Sequence, residues 1–474
     1  MLRGPFPAGG LQRAVSDGIV LSPDPSQRDG ALSLIARSGA GVVRIPLVWR
    51  SVVAGNAPPG FDARDPGDPA YDFVAVDASV RAAAAAGLVP LLVVGGAPTF
   101  AEAPNRWPYA YPGSWDPSPS AFEAFAAAVA RRYDGAFPDP LHAGAALPAV
   151  RLFQAWNEPN LARYLEPQWI AVEGRWQPFA PAVYRRLLNG FYAGVKSIQP
   201  QATVVAAGVA PDGDSAGVGR MAPVTFLREL LCVSAAGRAI RADCEEPAHF
   251  DVLAFHPLSV ASPDAVARSS LDVAIADAGK VGNVLRAAQT VGTALPSAHK
   301  PLWVTELNWE SAPQSPRGVP PAKQAAWISR ALHRLWVAGV SLVSWEFLVD
   351  PFPLLYQGTP TGAVLSYPRP AGLYSAGPGG SIEGARPKPF LQGFELPFDP
   401  LRASPRVVRV WALLSHPREP ALLERLRRHR WHLLARLHAG REGVVNATVR
   451  ARGTLVLRLV VAGRASAVAE VPAR

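Results

Sequence analysis

The sequence has little of several residues and patterns that mark common classes of protein. Only 2 of its 474 residues are cysteine and only 5 are lysine. It contains no uninterrupted apolar run of about 18 residues, the length that a membrane-spanning helix needs. The HExxH pattern of many zinc enzymes is missing, and the 9 histidines are scattered. These absences predict a protein with no membrane span, no metal and no cofactor.

What is present indicates a folded, globular chain. Hydrophobic residues make up 49% and charged residues 18%, which excludes a disordered or collagen-like chain. The 41 glycines and 49 prolines indicate many loops between regular elements. The length allows one large domain with a small one, or two to three ordinary domains.

The net charge of +10 is unevenly distributed. From Leu401 onward there are 15 arginines, no lysine and 4 acidic residues, so residues 1–400 are nearly neutral. A basic surplus confined to the end of the chain does not support nucleic-acid binding along the whole chain.

The two cysteines, Cys232 and Cys244, are separated by eleven residues and form no CxxC pattern. We predict that they form a local disulfide, and two unpaired thiols are the alternative. A disulfide is typical of an exported protein, although residues 1–7 lack the apolar core of a signal peptide. We therefore expect an extracellular or cell-envelope location, with the cytoplasm as the open alternative.

Short apolar runs alternate with helical patterns over the first 400 residues. The runs predict eight strands at residues 14–21, 41–49, 88–95, 149–156, 202–207, 250–255, 301–306 and 340–347. Between and after them, helices are predicted at residues 26–40, 71–87, 120–133, 181–198, 224–232, 271–291, 322–338 and 387–394. This alternation predicts a (β/α)8 TIM barrel. A doubly wound open sheet is the alternative, but the glycine-rich turn expected after its first strand is missing.

From residue 399 the pattern becomes β-rich, with short predicted strands at residues 407–414, 431–437, 443–451 and 454–461. We predict two domains, a barrel over residues 1–398 and a small arginine-rich β-sandwich over residues 399–474.

Two predicted barrel strands end in a glutamate flanked by tryptophan and asparagine. Strand four runs into Trp156-Asn157-Glu158-Pro159-Asn160, and strand seven contains Glu306 in WVTELNW. Barrel active sites lie at the carboxyl ends of the strands, so these carboxylates should face one another across the mouth. Such a pair is the minimum that glycoside hydrolysis requires.

These motifs resemble those of the clan A glycoside hydrolases, retaining barrel enzymes that include cellulase-like family 5 and β-xylosidase-like family 39. WNEPN is similar to the acid/base motif on strand four, and WVTELNW to the nucleophile strand. The resemblance covers residues 14–398. It implies that Glu158 is the acid/base, that Glu306 is the nucleophile and that Asn157 binds the sugar 2-hydroxyl group.

The same resemblance implies four further substrate-site residues: Arg44, His256, Trp309 and Trp345. Arg44 would lie beside the nucleophile, and Trp345 would form a platform on which a sugar stacks. Leu258 departs from the pattern, because many clan members have a tyrosine shortly after the strand-six histidine. Glu346 is a third acid near the mouth, and we expect it to point outward.

Aromatic residues in the loops after strands three and four suit a sugar-binding groove: Trp107, Tyr109, Tyr111, Trp115, Tyr164, Trp169 and Trp176. The predicted protein is a monomeric retaining hydrolase of an oligo- or polysaccharide. One alternative is a non-catalytic carbohydrate-binding protein on the same barrel. Another is an envelope-binding protein whose basic C-terminal domain attaches to an anionic glycan or the cell envelope.

Overall fold

Eight parallel strands close into a barrel in the computed structural model, which describes residues 10–53, 57–238, 246–350, 370–415 and 418–473. They are β1 (Gln12–Ser16), β2 (Val42–Val48), β3 (Val89–Gly95), β4 (Leu152–Ala155), β5 (Thr203–Val209), β6 (Val252–Phe255), β7 (Leu302–Leu307) and β8 (Val340–Glu346). Each strand pairs with its neighbours in chain order, and β8 pairs with β1 to close the ring. The predicted (β/α)8 barrel is confirmed.

Helices follow most of these strands. They are α1 (Pro25–Arg37), α2 (Val74–Ala85), α3 (Pro119–Arg132), α4 (Ala180–Ile198), α5 (Pro223–Leu230), α6 (Gly279–Val291), α7 (Pro321–Val337) and α8 (Pro389–Glu395). Local sequence explains where several begin. The Asp24 side chain accepts a hydrogen bond from the Ser26 N–H at the start of α1, and Ser118 caps α3 in the same way through Ala121.

Two predicted elements are wrong at their ends. The first strand stops at Ser16, because the Asp17 side chain accepts from the Ile19 N–H and opens a 3₁₀ turn over Gly18–Leu21. The helix expected from residue 271 begins at Gly279, after a separate 3₁₀ turn over Ile275–Asp277. Both differences come from local side-chain hydrogen bonds that apolar periodicity does not reveal.

The barrel interior is divided into an apolar lower layer and a polar upper layer. The apolar layer contains Ala14, Val42, Leu91, Leu152, Val205, Val252, Ala254, Trp303 and Leu342. Successive side chains of a strand point to opposite faces. Residues two positions further along the same strands, such as Arg44, Gln154 and His256, therefore point into the barrel nearer its mouth.

All-β structure follows the barrel. Its strands are β9 (Phe398–Ser404), β10 (Val407–Leu413), β11 (Pro420–Arg427), β12 (Arg430–His438), β13 (Val444–Arg450), β14 (Leu455–Val461), β15 (Arg464–Ala465) and β16 (Ala469–Val471). One sheet has the order β9-β10-β13, and the other has the order β12-β11-β14-β15, with β16 also pairing with β14. Apolar residues of both sheets share one core, as in a sandwich. The proposed domain boundary after residue 398 stays a prediction.

The sequence missed β9, β11 and the short strands β15 and β16, while the four predicted C-terminal strands match to within one residue at each end. β11 has the sequence PALLERLR, which lacks clean alternation of apolar and polar residues.

The C-terminal sheets contact the barrel at Asp399 of β9, which accepts hydrogen bonds from Arg330 at 3.1 Å and His333 at 2.6 Å on α7.

The remaining elements are short. They are a helical turn at Trp49–Val52, 3₁₀ turns at Thr99–Ala101 and Pro378–Gly380, a hairpin of Trp169–Val172 with Arg175–Pro178, and the strand pairs Ala248–His249 with Ala294–Leu295 and Tyr374–Ser375 with Arg386–Pro387. No helix within the described ranges is long and apolar enough to cross a bilayer. Cys244 lies outside the described residues, so its pairing with Cys232 stays a prediction.

Candidate active site

Two carboxylates meet inside the mouth of the barrel. Glu158 follows β4, Glu306 lies in β7, and each residue is only 8% exposed. One carboxylate oxygen of each and a ring nitrogen of His256 all lie within 4.8 Å of one another. The sequence prediction that these two glutamates converge therefore agrees with the geometry.

Arg44 connects Glu306 to the asparagine beside Glu158. Its Nη1 lies 2.8 Å from Glu306 Oε1, and its Nη2 donates to Asn157 Oδ1 at 2.6 Å. The guanidinium offsets the charge of Glu306, and charge-assisted bonds of this kind fix both partners. With its oxygen occupied, Asn157 keeps its Nδ2 amide free to donate, because that group bonds to no described residue.

His256 lies between the two carboxylates and is fully buried. Its Nδ1 is 3.0 Å from Glu158 Oε1 and 3.4 Å from Glu306 Oε2, while Nε2 is 2.9 Å from the Thr305 hydroxyl. An ionised carboxylate only accepts hydrogen bonds, so beside one the Nδ1 position carries the proton and Nε2 accepts from Thr305. The ring therefore holds Glu158 in place from the side of β6.

The backbone is unusual where β4 and β5 end. Trp156 has φ 68° and Glu158 has φ 44°, in the left-handed region that non-glycine residues rarely adopt. The Glu158 N–H nevertheless donates to the Gly208 carbonyl at 3.1 Å. Gly208 has φ 66°, and a Cβ there would lie 2.7 Å from Gln154 Nε2 and 2.9 Å from His256 Nε2. Strain of this kind is found at functional sites, and here it orients Glu158.

Three polar residues of the site were missed by the sequence analysis. Ser16 accepts from Arg44 Nη1 at 3.3 Å, and Gln154 Oε1 lies 3.5 Å from Arg44 Nε. Thr305 supports His256 as described above. Gln154 is a single polar residue inside an apolar strand run, whereas Ser16 and Thr305 each precede an acidic residue. All three lie two positions after a residue of the apolar inner layer, and this alternation was available in the sequence.

The two predicted stacking tryptophans are buried rather than open. Trp345 has no exposed surface, its Nε1 donates to the Ala371 carbonyl at 3.0 Å, and its ring packs 5.0 Å from Phe390 of α8. Strand alternation explains this position, because Leu342 belongs to the inner layer and Trp345 therefore points outward. Trp309 is also buried, with its ring 6.2 Å from that of Trp345. Neither ring offers an open face, so their sugar contact stays a prediction.

Glu346 differs from the expected outward orientation. It is half-buried at the end of β8, and its Oε2 accepts from Asn308 Nδ2 at 2.6 Å. The side chain therefore bridges the ends of β7 and β8 at the mouth. At position 258, where the resembling enzymes often have a tyrosine, the partly buried Leu258 supplies no hydroxyl group.

Glu158, His256 and Glu306 are also close enough to hold a metal ion. Arg44 already supplies a positive charge 2.8 Å from one of these carboxylates, and a second cation there would meet its repulsion. The absence of a metal from this site stays a prediction.

No protein-family profile matches the sequence, and no curated protein matches it either. Solved structures do resemble it. A family 39 glycoside hydrolase from Bacteroides cellulosilyticus WH2 aligns with a TM-score of 0.54 and 17% identity, over 93% of this chain and 81% of that one. A GH39 β-xylosidase from Caulobacter crescentus aligns with a TM-score of 0.50 and 14% identity, over 95% of this chain and 98% of that one.

A glucosidase from Croceicoccus marinus is comparably similar, with a TM-score of 0.50 and 13% identity over 95% of this chain and 94% of that one. At such identities the likeness concerns the arrangement of the chain, not its activity. The chain therefore has the barrel fold of clan A glycoside hydrolases.

Proposed function

We propose that this protein is a retaining glycoside hydrolase that cleaves O-glycosidic bonds of an oligo- or polysaccharide by double displacement. The observation that carries the proposal is the closeness of Glu158 and Glu306, whose nearest carboxylate oxygens are within 4.8 Å. Retaining enzymes place their two carboxyl groups about 5–5.5 Å apart, whereas inverting enzymes need about 6.5–9.5 Å for a water molecule. An oxygen-to-oxygen distance of 4.8 Å or less leaves little room for a water molecule between the two carboxylates, which supports the retaining mechanism.

Glu306 is suited to the nucleophile's role because it is held from two sides. Arg44 contacts one carboxylate oxygen, and His256 lies near the other. In the first step a Glu306 oxygen bonds to the anomeric carbon while the bond to the leaving oxygen breaks. The product of this step is a covalent glycosyl-enzyme.

Glu158 is suited to the acid/base role because it faces Glu306 from a strand end three strands away, with one oxygen bonded to His256. It would give its proton to the leaving glycosidic oxygen in the first step. In the second step it would take a proton from the water that attacks the glycosyl-enzyme. The free Nδ2 of Asn157 is available to the sugar 2-hydroxyl group, an interaction that strengthens in the oxocarbenium-like transition state.

The test is hydrolysis of a panel of aryl glycosides and of plant and bacterial polysaccharides by the wild type, Glu158→Ala and Glu306→Ala. The matched control is Glu173→Ala, which removes an exposed carboxylate from the loop after β4. Loss of Glu158 should slow turnover by about 10²–10⁴-fold, and loss of Glu306 by at least as much.

Azide separates the two roles. With Glu306→Ala it should restore turnover and give a glycosyl azide of inverted configuration, because azide attacks the substrate directly. With Glu158→Ala it should intercept the glycosyl-enzyme and give a product of retained configuration. Activity that survives both substitutions would contradict the proposal. Glycan binding without turnover by the wild type would favour the non-catalytic alternative.

A further inference from the structure

A cavity opens beside the mouth of the barrel, next to the loops that follow β2 and β3. It has a volume of about 400 Å³, and its lining includes Arg50, Pro98, Thr99, Glu102, Arg106 and Gly113. The cavity and Glu158 belong to the same rim, because Gly95 at the end of β3 packs on Trp156, with 3.2 Å between the glycine's Cβ position and the indole ring. A chain of sugars bound at the two glutamates could therefore extend into it.

The charges that line this cavity do not cancel. Glu102 is neutralised by Arg106, whose Nε lies 3.2 Å from its Oε2, and its Oε1 accepts from the Trp115 N–H at 2.9 Å. Arg50 is exposed, and its guanidinium makes no hydrogen bond or ion pair with any residue in the described ranges. The lining therefore carries one uncompensated positive charge.

Glu166 is a further acid within electrostatic range of two lining residues, Glu102 and Arg106. Burial raises its pKa to about 7, with Arg106 acting in the opposite direction. Below neutral pH this carboxyl is mostly uncharged, so it adds little negative charge near the cavity.

The backbone makes room for the Arg50 side chain. Gly96 has φ 75°, and a Cβ at this position would overlap the Arg50 guanidinium. Gly113 has φ 79°, and a Cβ there would lie 2.6 Å from the Ala97 carbonyl oxygen. Neither glycine can be replaced by a larger residue, so the cavity wall is backbone at these two positions. The Arg50 guanidinium is the group that this wall presents to a ligand.

The loop after β3 supplies Glu102 and Arg106 to the lining of the cavity, and the same loop carries exposed aromatic residues. The loop after β3 exposes 52% of Trp107 and 67% of Tyr109, and the two rings pack edge to face with centroids 5.4 Å apart. Flat aromatic faces suit the C–H faces of sugar rings. A guanidinium fork suits a carboxylate or sulfate group.

We propose that this cavity is a subsite for a sugar that carries an anionic group, and that Arg50 binds that group. The proposal rests on the proposed function, since it names the substrate class of the same groove as acidic glycans. Arg50 is the specificity-determining residue, because it is the one charged lining residue that has no partner among the residues that the structure describes.

The test is a binding measurement by calorimetry at low and high salt, so that it does not depend on turnover. The probes are xylo-oligosaccharides with and without a glucuronic acid branch, oligogalacturonides, and a neutral and a sulfated oligosaccharide of equal length. The proteins are the full-length wild type, Arg50→Gln, Arg50→Lys and the control Arg175→Gln, which removes an exposed arginine from the loop after β4.

The wild type should bind acidic probes more tightly than their neutral counterparts, with an affinity that falls as salt rises. Arg50→Gln should weaken acidic binding by about tenfold or more, the loss expected for a charged hydrogen bond, and leave neutral binding unchanged. Arg50→Lys should retain part of the preference, and Arg175→Gln all of it. A preference for uronates assigns a carboxylate ligand, and a preference for sulfated probes assigns a sulfate.

Equal affinity of the wild type for acidic and neutral probes would overturn the proposal, and so would absence of binding to every acidic probe. An Arg50→Gln variant that loses the same affinity for acidic as for neutral probes would overturn it too. The outcome of the hydrolysis experiment does not depend on the outcome of this binding experiment. Turnover that survives Glu306→Ala would reject the mechanism without changing the Arg50-dependent preference.

Discussion

The barrel and the C-terminal sheets are both rich in arginine, but among the described residues only the barrel region buries any of it. The barrel region buries Arg13, Arg44, Arg132 and Arg185, and each has hydrogen-bond partners. In the described part of the C-terminal region no arginine is buried, and the buried polar residues are Asp399 and Ser466.

This difference separates two meanings of a charged residue. A buried ion pair loses hydration that its mutual attraction only partly repays, so it indicates a specific requirement at that position. An exposed arginine has no such cost, so its exposure alone does not indicate a specific role. The basic surplus of residues 401–474 is therefore weaker evidence of function than the single Arg44. Attachment of this region to an anionic glycan or the cell envelope stays a prediction.

The largest effect should follow removal of the cation at the mouth. Arg44→Met would leave Glu306 buried without its partner 2.8 Å away, and we expect a loss of about 3–5 kcal/mol in the free energy of unfolding. Denaturant unfolding of the full chain measures it. The double variant Arg44→Met/Glu306→Gln should recover much of the loss, because the unpaired charge is then gone. If Arg44→Met alone lowers the free energy of unfolding by less than about 1 kcal/mol, water at the mouth screens the Arg44–Glu306 pair.

The residues that meet at Arg44 show how far the sequence could predict the site. Parallel strands end at one rim, so residues at the ends of strands four, six and seven had to converge. This rule suffices for Asn157, Glu158, His256 and Glu306, whereas Arg44 lies inside β2 and its place beside Glu306 was implied by the resemblance. It needs only the strand order, which the alternation of apolar runs and helices already predicts.

What the sequence could not give is which face a side chain occupies. Strand eight, VSLVSWE, has apolar residues on both faces, and a shift of one residue exchanges the inner face for the outer one. Trp345 was therefore assigned to the mouth, although it packs against α8, and Glu346 was assigned outward, although it contacts Asn308. Only packing against the rest of the barrel decides the orientation.

The next largest effect on stability should come from a buried glutamate of the barrel, one of whose carboxylate oxygens has no hydrogen-bond partner among the described residues. Glu166 Oε2 is buried without a hydrogen-bond partner, and burial raises the pKa of this carboxyl from 4.5 to about 7. The folded state therefore binds the proton more tightly than the unfolded state. The stabilising effect of this tighter proton binding is complete below pH 4.5 and is lost as the pH rises through about 7. Glu166→Gln should consequently stabilise the protein by about 1–3 kcal/mol at pH 8 and by almost nothing at pH 4.

Unfolding curves of Glu166→Gln and wild type at several pH values between these limits measure the effect. The control is Glu173→Gln, which alters an exposed glutamate of the same inter-strand loop. A stabilisation that is equal at every pH would show that shape rather than charge is responsible. It would also weaken the inference that buried charge is costly throughout this rim.

The smallest effect should come from the best-paired arginine of the C-terminal sheets. Arg458 Nη2 lies 2.7 Å from Glu424 Oε2, and its guanidinium covers the Trp431 ring at 4.2 Å. This geometry is as close as that of Arg44 with Glu306, but the Arg458 side chain is 28% exposed and that of Arg44 only 7%. Water screens the outer pair, so Arg458→Gln should cost about 0.5–1 kcal/mol, and part of that loss should disappear at high salt. Glu424→Gln is the matched control and should cost a similar amount. If Arg458→Gln destabilises the protein as much as Arg44→Met does, burial is not what distinguishes the two regions, and the exposed arginines must then be counted among the residues with a specific role.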